Sequence, residues 1–312
     1  MQEGQITQIE GLINIEHRLP VESEYRKSLV ALNRTGVLSI LPQSERLGVI
    51  GADGKEYPVP TLEEVHGIFE HNRKLVEAKR AEGFTRLQIT PLAMSVSLLI
   101  DRAKEAILKH NREGKIFQTK RNADDSEIVV SVDTDEPVWV WDTVKEAVAS
   151  DKVVYFPRQF DVNHDGKSKD RIIADPKICA IPGWSIGLVE DNKFLPVQGS
   201  GQIIGGRKQL ENNSTPRDYV KSLQSGIYKG ETGWTYEDIL TDFLVNLENT
   251  NEVSHEWREN NGLWLVGSYL PESANVPDSR WDRGGGQLRV DASGPGFQNE
   301  YLGVRSTVRL GV

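Results

Sequence analysis

The sequence predicts a mixed α+β fold in which a smaller N-terminal region, residues 1–125, precedes a larger domain, residues 126–312. Three observations predict this class. Short apolar runs separated by turn residues precede two amphipathic helical stretches in the first region. The second region contains two further helical stretches, and a segment in which apolar and polar residues alternate ends the chain. We expect the first region to serve assembly or attachment.

Composition is typical of a water-soluble globular protein, with 312 residues, 38% hydrophobic and 27% charged, and a mean hydropathy of -0.46. The net charge of -9 argues against a broad nucleic-acid surface, because binding phosphates requires clustered Lys and Arg. The N-terminus lacks the basic head and apolar run of a signal peptide, and no segment is long enough to cross a bilayer. We therefore expect cytoplasmic synthesis, no nucleic-acid partner and no membrane insertion. The final location, virion or cell surface among the options, stays open.

The first elements are predicted to be β-rich, over residues 20–60, with a hairpin turn at Ala52–Lys55 between apolar runs. Thr61 followed by Glu64 forms a capping box, in which each residue satisfies the other's backbone N–H. Apolar residues at helical spacing follow, and they predict a helix to about Ala81.

Gly83 and the Thr90–Pro91 pair break the chain, and a second apolar stripe predicts a helix directly after the first. The polar stretch Lys120–Ser126 marks the predicted domain boundary. Beyond it, Ile128–Val132 and Val138–Trp141 are predicted strands because they are short and rich in β-branched and aromatic residues.

Two helices are predicted in the second region. Thr215 is a predicted N-cap with Pro216 at the first helical position, and Thr235–Asp238 opens a run with one apolar face. The glycines near 199–206 do not have the spacing of a phosphate-binding loop, so a glycine-rich turn is the interpretation we prefer.

Candidate catalytic and metal-ligating side chains are few. His66, His71 and His110 have no partners at metal-ligand spacing, so we expect them on solvated helix faces. Cys179 is the single cysteine, which excludes an intrachain disulfide and indicates plain packing. His255 is the best isolated candidate for catalysis, but without a nucleophile motif we interpret it as structural, or as a residue on a site's rim. We therefore predict that the protein is not an enzyme.

An acidic segment matches half of a calcium-binding loop. Asp161, Asn163 and Asp165 lie at alternating positions before Gly166, as oxygen ligands do in such loops. The twelfth position is Ile172, which cannot bind a metal ion. An Asx-rich turn is the alternative, and no cofactor is required.

The C-terminal segment carries the most information. Residues 302–310 alternate between apolar and polar or glycine, which predicts one half-buried strand, and the apolar run 263–270 predicts a neighbouring central strand. The intervening stretches 276–286 and 291–301 are rich in Gly, Pro, Asp and Ser, and we predict loops there. Exposed loops on a rigid scaffold are where recognition residues concentrate.

These residues resemble a known family. The order Trp281, Arg283-Gly284-Gly285, a loop, and then Tyr301 through Arg309 resembles the C-terminus of the variable proteins of diversity-generating retroelements. Those proteins have a C-type lectin fold, in the subtype that is like formylglycine-generating enzymes. The segment 205–248 is similar as well, so the resemblance covers roughly residues 150–312.

The resemblance implies a ligand-binding protein of receptor or adhesin type, with a hypervariable site at about residues 279–300 that recognises a protein or surface epitope. In that family, adenine-directed reverse transcription rewrites Asn codons, and such changes cannot yield Gln, Glu, Lys, Met or Trp. Gln287, Gln298 and Glu300 are therefore expected to be fixed. The predicted variable, ligand-binding positions are Asp282, Gly286, Asp291, Ser293, Gly294, Gly296, Phe297 and Asn299. The predicted scaffold positions are Trp281, Arg283, Gly284, Gly285, Tyr301, Gly303 and Arg305.

Two alternatives remain beside this interpretation. An invariant structural or attachment protein of a virus or cell surface would carry the same lectin-like domain without diversification. An enzyme of unrecognised type ranks third. The related formylglycine-generating oxidases require a pair of cysteines at their metal, and one cysteine excludes that chemistry here.

Overall fold

The computed structural model describes residues 21–118, 120 and 128–311. The helices are α1 (residues 21–34), α2 (Leu62–His71), α3 (Arg73–Ala81), α4 (Val96–Arg112), α5 (Asp142–Ala149), α6 (Lys169–Ile173), α7 (Pro216–Leu223) and α8 (Tyr236–Thr250). The strands are β1 (Ser39–Ile40), β2 (Leu47–Ile50), β3 (Glu56–Pro58), β4 (Phe84–Thr90), β5 (Phe117–Gln118), β6 (Val138–Val140), β7 (Val154–Tyr155), β8 (Ser185–Glu190), β9 (Ile203–Ile204), β10 (Arg207–Lys208), β11 (Glu231–Gly233), β12 (Glu252–Val253), β13 (Gly262–Trp264), β14 (Ser268–Tyr269), β15 (Val276–Asp282), β16 (Gln287–Ser293), β17 (Leu302–Gly303) and β18 (Ser306–Arg309). The predicted α+β class is confirmed.

Two sheets organise the structure. An antiparallel sheet has the order β11-β18-β8-β4, and a mixed sheet has the order β17-β13-β15-β16-β6. In the mixed sheet β17 and β6 run parallel to their neighbours, while β15 runs antiparallel to both β13 and β16. Helix α8 packs against α4 and β4, and its buried face lies in the main hydrophobic core.

The predicted boundary at 125/126 falls within residues 121–127, which lie outside the described part of the chain. Residues on its two sides share a sheet, since β4 pairs with β8 from Phe84 to Thr90. They also share one hydrophobic core, which extends from Val21 to Leu310. Described residues of the two predicted regions therefore pack together in this sheet and core. None of the helices in the described ranges is both long and apolar enough to span a membrane.

Local helix and turn signals are confirmed. Thr61 and Thr235 form capping boxes at the starts of α2 and α8, and Thr215 caps α7 by accepting a hydrogen bond from the Asp218 backbone N–H. The predicted turn at Ala52–Lys55 connects β2 to β3. These features depend on residues close in sequence, which is why the pattern alone identifies them.

Three N-terminal predictions were wrong. Residues 21–34 are helical and not β-rich. The helix predicted to reach Ala81 is interrupted at Asn72, whose side chain donates hydrogen bonds to the backbone carbonyls of Ile68 and Gly311 at 2.9 and 2.7 Å. The two predicted helices are not consecutive, because β4 lies between them as a largely buried strand.

The predicted C-terminal strand 302–310 is two strands in different sheets. β17 belongs to the mixed sheet and β18 to the antiparallel sheet, and Arg305 lies between them. All residues from Leu302 to Leu310 are buried, so the prediction of a half-buried strand was wrong. The polar side chains of β18 are buried together with partners: Arg309, for example, pairs with Asp238. The run 263–270 likewise divides into β13 and β14, although β13 is the predicted neighbour of β17.

Candidate ligand-binding surface

Residues 276–293, most of which fall in the predicted loops 276–286 and 291–301, form a β-hairpin. β15 and β16 pair in antiparallel register from Val276 opposite Ser293 to Asp282 opposite Gln287. The loop prediction was wrong for residues 276–282 and 291–293, which are in strands, whereas residues 283–286 and 294–300 lie outside strands as predicted. Residues 287–293 alternate polar and apolar side chains, which is a strand pattern. Alternation gives the hairpin two chemically different faces.

The inner face of the hairpin is mostly apolar and includes Trp281, Leu288, Val290 and Ala292, all buried in the main core, beside the buried Ser279. Trp281 has no exposed surface and stacks on Phe243 of α8, with ring centroids 6.4 Å apart and planes 12° apart. This contact fixes the hairpin to α8. It agrees with the predicted scaffold role of Trp281.

The outer face of the hairpin consists of Asp278, Arg280, Asp282, Gln287, Arg289, Asp291 and Ser293. Arg280 and Arg289 lie directly opposite each other, an unfavourable pair by itself. Each arginine has an acidic partner, since Arg280 lies 3.3 Å from Asp291 and Arg289 lies 3.4 Å from Asp282. The charges therefore compensate one another across the face.

Aromatic side chains lie next to these two arginines and form a row of partly exposed side chains with them. The Arg280 guanidinium lies 4.6 Å from the ring centroid of Trp257, and Trp257 packs on Tyr301 at 4.8 Å. On the other side, the Arg289 guanidinium lies 4.1 Å from the ring centroid of Trp139 in β6. We call Tyr301, Trp257, Arg280, Arg289 and Trp139 the aromatic–arginine row. Its members are partly exposed.

Sequence reasoning missed this row, apart from Tyr301. Trp139 and Arg289 are 150 positions apart, and only the parallel pairing of β6 with β16 brings them together. A signal was present in the alternation Val138-Trp139-Val140, which places Trp139 opposite the buried valines. Nothing in the sequence states which strand lies beside β6.

Asp278 is the buried member of the outer face, at 2% exposure. A second hydrophobic cluster, which includes Trp264, Val276 and Tyr219 of α7, covers this end of the sheet. Burial raises the pKa of Asp278 to about 7, although the ion pair with Arg280 opposes the rise. The outer face therefore contains a carboxyl group that titrates near neutral pH.

The loop 294–300 continues this surface. Phe297 is 50% exposed, and its ring meets Trp264 edge to face at 6.3 Å, so one side of the ring is anchored and the other faces solvent. The Pro295 carbonyl accepts a hydrogen bond from the Arg217 backbone N–H at the start of α7. Asn299 accepts a hydrogen bond from the Tyr301 N–H at 2.9 Å. These contacts hold the loop beside the hairpin.

Seven of the eight predicted ligand-binding positions lie on one continuous stretch of surface. Asp282, Asp291 and Ser293 are on the outer face, and Gly294, Gly296, Phe297 and Asn299 are in the adjoining loop.

Gly286 differs from the other seven positions. It is buried at φ +66°, and a Cβ atom there would lie 2.7 Å from the Ser131 backbone oxygen. A variable side chain does not fit at Gly286, so its assignment to the ligand-binding set was wrong.

The predicted scaffold positions are held in different ways. Arg283 lies 2.7 Å from Glu256 and 3.3 Å from Glu259. Gly284 and Gly285 are exposed in the hairpin turn, where their N–H groups donate to Asp282. Gly303 pairs with β13, and Arg305 is buried.

Two histidines have roles that the sequence did not show. His110 is buried and its Nε2 atom lies 3.2 Å from Glu248, so the predicted solvated position was wrong. His255 is also buried, and its Nε2 atom lies 3.0 Å from the Asp242 carboxylate. Neither side chain belongs to the outer face. Cys179 is buried, as predicted, and burial raises the pKa of its thiol to about 12, which disfavours the reactive thiolate.

The calcium candidates lie in an exposed turn. The Asp161 carboxylate accepts a hydrogen bond from the Asn163 backbone N–H at 2.7 Å, which is the Asx-turn geometry of the alternative interpretation. Asp165 is exposed at a positive φ of 51°. Within the described ranges, no group of three His, Cys, Asp or Glu side chains is arranged to hold a metal ion.

Comparison with known protein families, with curated proteins and with solved structures finds no match to this chain.

Proposed function

We propose that this protein recognises a macromolecular ligand, a protein or a surface epitope, through the outer face of the hairpin and the loop 294–300, without catalysing a reaction. The aromatic–arginine row is the observation that carries the proposal. Trp, Tyr and Arg are the residues that dominate binding energy at protein interfaces. Here they lie side by side and partly exposed, and Arg280, Arg289 and Trp139 are on strands of the mixed sheet. The opposite face of the hairpin is packed into the core.

We further propose a C-type lectin-like fold for the C-terminal domain and diversification of its surface by a retroelement. The sequence resemblance supports this, and so does the placement of seven predicted variable positions together on the surface. The resemblance implies that Trp281 and Arg283 are fixed. Trp281 stacks on Phe243, and Arg283 forms an ion pair with Glu256. The N-terminal region would then serve assembly or attachment.

One observation favours the alternative of an invariant attachment protein. Asp282 accepts hydrogen bonds from the turn N–H groups, and Asn299 accepts one from Tyr301. Asp291 forms an ion pair with Arg280. Diversification at these three positions would remove local contacts, and an invariant surface would keep them.

Genomic DNA distinguishes the two functions. Diversification requires a near-identical repeat of the 3′ coding segment beside a reverse-transcriptase gene, with adenines where the two copies differ. We expect both features, with the differences at codons for the seven surface positions. A locus without the repeat and without the reverse transcriptase would contradict diversification and favour the invariant protein.

A further inference from the structure

A polar pocket of about 260 Å³ lies away from the outer face, where β4, α8 and the segment after β8 meet. Its lining includes Arg86, Asp191, Asn192, Asp242, His255 and Arg305. Cavities that bury drug-sized ligands are roughly 300–1,000 Å³. This pocket therefore suits a smaller molecule, with polar groups at fixed places.

Asp242 organises one wall of the pocket. Its carboxylate lies 2.7 Å from the Arg86 guanidinium and 3.0 Å from His255 Nε2. Burial acts to raise the pKa of Asp242, but Arg86 and His255 hold it well below its usual range. The ionised Asp242 carboxylate accepts a hydrogen bond from His255 Nε2–H, so the neutral imidazole has its lone pair at Nδ1.

The Nδ1 atom of His255 is buried and has no hydrogen-bond partner. The residue is held in the left-handed region, at a positive φ of 59°. Its backbone carbonyl is fixed by the Trp281 N–H at 2.9 Å. The structure thus keeps an unsatisfied acceptor in a constrained position, a feature that clusters at ligand sites.

Arg305 is the second unsatisfied group. It is 5% exposed, and its hydrogen bonds go to neutral acceptors, the side-chain oxygen of Asn192 and the backbone carbonyl of Lys193. Its Nε atom has no partner, and it forms no ion pair with any described residue. Other buried arginines in the same part of the chain differ, since Arg207 pairs with Glu231 at 2.7 Å and Arg309 pairs with Asp238.

The remaining charges favour a ligand that carries both signs. Lys193 and Glu252 neutralise each other at 2.5 Å. Asp191 is exposed at the pocket and pairs with no described residue. An unpaired guanidinium and an unpaired carboxylate therefore line one small cavity, together with an unsatisfied imidazole nitrogen.

We propose that this pocket binds a small zwitterion of the amino-acid class. The ligand carboxylate would pair with Arg305, and its ammonium group would pair with Asp191 on the side of the pocket that His255 lines. Arg305 has nearby acidic side chains, Asp242 among them, but no direct ion pair with a described residue, and a ligand carboxylate would give the buried guanidinium a hydrogen-bonded anionic partner. This site is separate from the outer face, so the two can be tested independently.

Isothermal titration calorimetry on the full chain tests the ligand class with three probes of matched size. L-alanine carries both charges, propionate only the carboxylate, and isopropylamine only the ammonium group. We expect L-alanine to bind at least about tenfold more tightly than either single-charge probe. Equal affinity for propionate and L-alanine, or no heat from any probe up to about 10 mM, would overturn the proposal.

Two variants locate the binding. Arg305→Lys keeps a positive charge but loses the planar fork that holds a carboxylate, and Asp191→Asn removes an exposed charge with little risk to folding. We expect each to weaken L-alanine binding by about tenfold or more. If Arg305→Lys does not fold, Asp191→Asn still decides, since unchanged affinity would contradict the assigned site.

A spectroscopic measurement on the unaltered protein avoids the folding problem. In ¹⁵N-histidine spectra, L-alanine should shift the Nδ1 resonance of His255. The matched control is His110, which is also buried and paired with a carboxylate but does not line the pocket. A shift at His110 with none at His255 would contradict the proposal.

Discussion

The two faces of the β15–β16 hairpin differ in what holds their side chains. The inner face is fully buried, and Trp281 stacks on α8. The outer face is held mainly by ion pairs in which Arg289 and Asp282 keep 28% and 30% of their side-chain surface exposed. Burying a large apolar side chain contributes about 1.5–3 kcal/mol, whereas an exposed ion pair contributes at most about 1 kcal/mol. The fold depends mainly on the inner face, and recognition is the role that we propose for the outer face.

Removing the Trp281 side chain from the inner face should have the largest effect on stability. Trp281→Ala should lower the free energy of unfolding by about 3–5 kcal/mol, because it leaves a cavity against α8. Urea denaturation followed by circular dichroism measures the change. A loss below about 1 kcal/mol would show that the inner face does not hold the hairpin.

Gly286 and Gly294 were both predicted to be variable, but they differ in the space around them. Gly286→Ala should cost about 1–3 kcal/mol, because the new methyl group meets the backbone of residues 131–133 at a positive φ. Gly294→Ala is the matched control, since a Cβ there meets nothing within 4 Å, and it should change stability by less than about 0.5 kcal/mol. Thermal unfolding of both variants is the measurement. Equal losses would contradict the separation of these positions.

The buried carboxyl of the outer face predicts a pH dependence. Burial raises the pKa of Asp278 to about 7, above the value of about 4 expected in the unfolded chain. Its stabilising contribution is therefore complete below about pH 4 and is lost as the pH rises through about 7. The wild type should lose stability relative to Asp278→Asn over this range, by no more than about 1.4 kcal/mol per pH unit. Urea unfolding at a series of pH values tests this, and parallel profiles would contradict it.

The smallest expected effect is on the outer face itself. Arg289→Ala removes a partly exposed ion pair and the contact with Trp139, and it should lower the free energy of unfolding by less than about 1 kcal/mol. The same urea denaturation used for Trp281→Ala gives a direct comparison. Loss of the fold in Arg289→Ala would show that the outer face is structural and not free for recognition.

The sequence predicted features that depend on near neighbours and missed those that depend on distant ones. The capping box at Thr61 needs only a residue three positions away, and it was found. The contact between Trp139 and Arg289 needs the register of two distant strands. The crowding at Gly286 comes from residues 131–133, and the partner of His255 is on α8. No local pattern contains these pairings.

The most direct test of the central claim is to sequence this gene from many sibling genomes and to map the substitutions on the hairpin. We predict that they concentrate at the outer face and the loop 294–300, while Trp281, Leu288 and Val290 stay constant and Gly286 stays glycine. Substitutions distributed equally over both faces of the hairpin, or confined to the inner face, would contradict the proposal that a diversified recognition surface is built on a fixed scaffold.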